Sequence, residues 1–110
     1  MTATTMVPVN ITPEAQARVE ELGFQAQLAR MIEHVRQVVP QLVSIEVEDF
    51  WRADEHGPSG VCIRAMTNMP WQETFKKPYD LGRWRVTTFP PEVLEHIVLT
   101  YGFVEEQHAG

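Results

Sequence analysis

A chain of 110 residues with 44% hydrophobic and 22% charged side chains has the size and composition of one globular domain, and two full domains would not fit. Nine basic against fifteen acidic residues leave a formal charge of −6 at neutral pH, which opposes binding to phosphate polyanions and disfavours nucleic acid as a partner. The single cysteine, Cys62, excludes an intramolecular disulfide and any multi-cysteine zinc site, so a reducing, cytoplasmic location is the expectation.

Residues 1–11 hold neither the basic and apolar blocks of a secretory leader nor a clear period, and they read as a flexible N-terminus. A helix start follows at Thr12-Pro13-Glu14: a hydroxyl cap, a proline at the first helical position and a carboxylate at the positive helix end. Ala15, Val19 and Leu22 continue it at spacings of four and three, and Gly23 interrupts. Phe24, Leu28, Ile32, Val35 and Val39 carry a second stripe at helical spacing. Residues 13–39 are therefore expected to form two short helices or one bent helix, ended by Pro40.

The period then changes. Val43, Ile45 and Val47 alternate with Ser44, Glu46 and Glu48, as in a strand with one wet face. After a Gly/Pro-rich turn at 54–60, Val61, Ile63 and Ala65 alternate with Cys62, Arg64 and Met66, and the two runs predict an antiparallel hairpin. On its wet face Arg64 is expected opposite Glu46 or Glu48. Residues 68–83 show no sustained period and read as a long connection. Residues 84–89, aromatic and β-branched, suggest a third strand. Pro90-Pro91-Glu92 opens a final helix with Val93, Leu94, Ile97, Val98 and Tyr101 inward and Gly102 as its stop. On that helix Leu99 and Phe103 would mark a second apolar face. The expected class is α+β: an N-terminal helix or bent helix pair, a three-stranded antiparallel sheet and a C-terminal helix, with the helices packed on one sheet face. Residues 12–104 form the single domain in this reading, and 105–110 a flexible tail.

Segment 70–85 stands out because it reverses the local charge, with four basic and two acidic residues among 71–85. Trp71, Phe75, Tyr79 and Trp84 offer flat apolar faces, and Lys76, Lys77, Arg83 and Arg85 offer cations to an anionic partner. The competing expectation is that the rings fold back over the sheet and the cations form a solvated rim. A second cluster, His56, Cys62 and Arg64 with Glu46 or Glu48, supplies the polar groups of an alternative pocket between sheet and loop. No His-x-x-x-His, Cys-x-x-Cys, Gly-x-Ser-x-Gly or phosphate-cradling glycine motif occurs, so no metal, cofactor or catalytic residue is assigned. Residues 11–20 are similar to the opening of A-type iron–sulfur scaffold proteins, but the three cysteines that chemistry requires are missing. The expected α-β-β-β-α order is similar to that of double-stranded-RNA-binding domains, yet the last helix holds Glu92 and Glu95 and no Lys or Arg to face phosphates. The resulting expectation is a small acidic binding or assembly module, non-catalytic, that contacts a protein partner or a second copy of itself through loop 70–85 or a sheet edge. A small-ligand-binding or enzymatic domain is the alternative.

Overall fold

A computed structural model describes residues 7–39, 41–51, 58–68 and 81–103. Val9–Ile11 form strand β1. Two helices follow, α1 over Pro13–Leu22 and α2 over Gln25–Val38. Strands β2, Leu42–Trp51, and β3, Pro58–Thr67, make the hairpin. Helices α3, Leu81–Thr88, and α4, Pro91–His96, lead into strand β4, Ile97–Phe103. The class is α+β.

Local chemistry fixes the helix ends. The Thr12 hydroxyl accepts a hydrogen bond from the Ala15 amide at 3.1 Å, which satisfies one orphan donor of α1. Gly23 ends α1 with φ +74°, a left-handed conformation that costs a residue with a β-carbon about 1 kcal/mol or more. Its N–H donates to the carbonyls of Val19 and Glu20. Of the two expected forms, two short helices or one bent helix, the structure has the pair, with the break at Gly23. Helix α2 buries Leu28, Met31, Ile32 and Val35 on one stripe and ends at Val39.

The sheet has four strands in the order β1-β2-β3-β4 and is mixed. The hairpin register pairs Ile45 with Ala65, Val47 with Ile63 and Glu46 with Arg64. The flanking strands each run parallel to their neighbour, β1 to β2 and β4 to β3. This corrects the expected three-stranded antiparallel sheet. Parallel neighbours need a crossover, and the chain supplies one through α1 and α2 and another through α3 and α4.

Three segments differ from expectation. Residues 9–11, placed by sequence in a flexible N-terminus, pair with β2 from Val9 opposite Ile45 to Ile11 opposite Val47. Residues 84–89, expected as a strand, belong mostly to α3. There Leu81, Trp84, Arg85 and Thr88 turn inward while Gly82, Arg83, Val86 and Thr87 face outward, a helical spacing that overrides the strand preference of the residue types. The final helix stops at His96. Ile97, Leu99, Tyr101 and Phe103 then share one side of a strand, and pairing with β3 wins over the helical spacing that the same residues also satisfy. The predicted tail, 105–110, lies outside the described residues.

One face of the sheet carries the core. Ile45, Val47, Val61, Ile63, Ala65 and Ile97 are buried there with Ala15 and Val19 of α1, the four apolar residues of α2, Leu81 of α3 and Val93 of α4. All described helices therefore cover the same face. Gly60 lets the turn from α4 into β4 approach the sheet, since a β-carbon on it would collide with the His96 carbonyl.

Candidate functional site

Three surfaces follow from this arrangement. The first is the uncovered sheet face. Strand alternation turns Asn10, Ser44, Glu46, Glu48, Cys62, Arg64, Met66, Val98 and Thr100 away from the core. The sequence-derived pocket residues Glu46, Glu48, Cys62 and Arg64 do come together here, on a sheet surface; His56 lies outside the described residues. Arg64 bonds Glu48 at 3.2 Å, and Glu46 accepts from the Asn10 amide at 3.0 Å and the Ser44 hydroxyl at 2.9 Å. Burial pushes the Cys62 thiol pKa up, against the pull of Arg64 and with a push from Glu48, so the thiolate is disfavoured. Glu46, Glu48 and Arg64 are each engaged with a neighbour, and burial works against the thiolate that a Cys62 nucleophile would need.

The second surface is a groove between α2 and α3. The His34 ring stacks on Trp84 with centroids 3.8 Å apart and planes 3° from parallel. Trp84 meets Phe89 edge-on at 5.4 Å, and the Arg30 guanidinium lies 5.5 Å from the Phe89 ring centre. Two shallow depressions of about 260 and 240 Å³ share Arg30, the first lined also by Glu33, His34, Gln37 and Trp84. Desolvation lowers the His34 pKa below its ordinary value, which favours the neutral ring. Glu33 is held on its own helix by Gln37 at 3.3 Å and Arg36 at 3.6 Å.

Of the aromatic and basic segment, only residues 81–85 are among the described residues. Trp71, Phe75, Lys76, Lys77 and Tyr79 lie outside the described residues. Trp84 is half-buried against His34, Arg83 is exposed, and Arg85 turns inward to donate to the carbonyls of Leu94 and Ile97 at 3.3 and 2.9 Å. Arg85 thus fastens the α4–β4 junction. Sequence spacing did not single out Arg30, His34 and Phe89 as a group, because the helix that joins them to Trp84 was read as a strand.

The third surface is the outer edge of β4. Among the described residues no strand pairs with that edge. Its seven residues, Ile-Val-Leu-Thr-Tyr-Gly-Phe, carry no charge. Thr100 is exposed, Phe103 is 42% exposed, and the Tyr101 and Phe103 rings lie 6.3 Å apart. The opposite edge, β1, is three residues long.

Among the described residues no three His, Cys, Asp or Glu side chains gather to hold a metal ion, and no helix is long and apolar enough to cross a membrane. Comparison with protein-family models, curated proteins and solved structures found no match to this chain.

Proposed function

We propose that this chain is a non-catalytic binding or assembly module that contacts a protein partner by extending its sheet at β4. The observation that carries the reading is a seven-residue, uncharged strand edge left unpaired among the described residues. Natural sheets blunt such edges with charge, proline, bulges or short length. β1 is short, and the hairpin strands are interior to the sheet. β4 uses none of these devices along its length, so main-chain pairing with a partner strand is available to it.

The alternative, a small-ligand or enzymatic domain, draws less support. Its polar groups on the open face are spent on one another, and Cys62 is biased toward the inert thiol. The test is affinity capture from the source lysate with the full chain and with Thr100→Lys. A lysine on the exposed midpoint of the edge is expected to remove partners held by β4 without unfolding the chain. Unchanged capture by the variant overturns the edge as the contact.

A further inference from the structure

We propose that the groove between α2 and α3 binds a small monocarboxylic acid with an apolar body, its carboxylate on Arg30 and its body over Phe89 and Pro90. The site belongs to the helix layer, and the proposal does not depend on the β4 edge.

Helical spacing builds the site from two sides. Ala26, Arg30, His34 and Gln37 succeed one another on α2 at intervals of four, four and three, which places them on one face. Trp84 and Thr88, four apart on α3, line the opposite wall, and Phe89 and Pro90 continue it. The depressions of about 260 and 240 Å³ between these walls meet at Arg30. Each alone is smaller than the roughly 300–1,000 Å³ of ordinary ligand sites, and joined at Arg30 they reach that range.

The two ends differ in chemistry. At the first, Arg30, His34 and Trp84 bring N–H donors, and among the described residues none of the three has a hydrogen bond or an ion pair. Desolvation keeps the His34 ring neutral, with one N–H to give. Glu33 also lines this end, but its carboxylate is held on its own helix by Gln37 at 3.3 Å and Arg36 at 3.6 Å. Arg30 is thus the uncompensated charge of the described lining. At the second end Ala26, Phe89 and Pro90 form an apolar floor. The Phe89 ring is buried and carries the Arg30 guanidinium 5.5 Å from its centre, which holds the cation where the two ends join.

Charge and shape select the occupant. A single guanidinium presents a planar fork that a carboxylate matches with two parallel hydrogen bonds. A phosphate dianion would bring a second charge that no described lining cation answers, beside Glu33. An organic cation would face Arg30 with no free carboxylate to receive it. An acid without an apolar body would leave the Phe89–Pro90 floor uncovered. The chain's overall −6 acts weakly against such an anion, since exposed charges beyond about 8 Å are largely screened at physiological salt.

The test is a two-dimensional amide NMR titration of the full chain with phenylacetate, a carboxylate carrying one ring. Saturable shifts are expected in residues 26–37 and 84–90 and at the Trp84 indole N–H, with a Kd in roughly the millimolar range for a ligand of this size. Phenylacetamide, acetate and inorganic phosphate, which lack the charge, the ring and the carboxylate geometry in turn, should each bind about fivefold more weakly or worse. Arg30 is exposed, so its replacement leaves the core intact, and circular dichroism checks the fold. Arg30→Gln should weaken phenylacetate binding about tenfold or more, and Arg30→Lys, which keeps the charge and loses the fork, by less. Arg83→Gln removes an exposed cation that does not line the groove and should leave binding unchanged. Shifts that fail to saturate, phenylacetamide or phosphate binding as well as phenylacetate, or equal losses in Arg30→Gln and Arg83→Gln would each overturn the site.

Discussion

At the scale of single residues, three positions have consequences that can be measured. Thr12 is the sole side-chain cap of α1 among the described residues, and Thr12→Ala should lower stability to urea by about 1 kcal/mol. Gly60 sits where the His96 carbonyl leaves no room for a methyl group. Gly60→Ala should therefore destabilise by about 1–3 kcal/mol through overpacking against backbone, which cannot rotate away. Thermal unfolding of Gly60→Ala beside Gly23→Ala separates this steric effect from the conformational one at φ +74°. Cys62 is a thiol kept protonated by burial. Its alkylation in the folded chain at mildly alkaline pH should be many-fold slower than in urea, and equal rates would contradict the half-buried placement.

At the scale of elements, the contact between α2 and α3 rests on the His34–Trp84 stack. Trp84→Ala should cost about 1–3 kcal/mol, less than a fully buried ring, because Trp84 is only half-buried. The depressed His34 pKa gives this contact a pH dependence. The unfolded imidazole binds its proton near 6.5 and the folded one only at lower pH. The stabilising contribution is complete above that unfolded value and is lost as pH falls through the folded pKa. His34→Gln should flatten the acid side of the stability curve below pH 6.5 relative to the wild type. An unchanged slope would remove His34 from the account.

The same elements show what the sequence could and could not reveal. The α1–α2 pair and the β2–β3 hairpin were legible because cap, proline and glycine chemistry and the two apolar periods agree locally. The hairpin alone placed Arg64 opposite Glu46 or Glu48; the register sets it across from Glu46 and its ion pair goes to Glu48. Helix α3 was hidden because Trp84, Val86 and Thr87 are residue types that favour strands, while Leu81 and Trp84 pack against other elements at a helical spacing. Strand β4 was hidden for the converse reason: 93, 94, 97, 98 and 101 satisfy a helical spacing. Leu99 and Phe103 did not fit that helix, and alternation through 97, 99, 101 and 103 was the signal that explains them. β1 is too short to show a period, and its place depends on pairing with β2 across the helical crossover.

At the scale of the whole molecule, a mixed sheet with helices on one face offers a partner, among the described residues, the open face and the longer edge besides the α2–α3 groove. The open face has satisfied its charges internally, through Glu48–Arg64 and Asn10–Glu46–Ser44. Along the outer edge no described strand pairs with β4. The most direct measurement is hydrogen exchange of the β4 amides, residues 97–103, in the chain alone and in complex with a captured protein partner. The account predicts slower exchange in β4 in the complex, with the interior strands β2 and β3 unchanged. Exchange in β4 that is the same with and without the partner would contradict the claim that this edge is where the molecule binds.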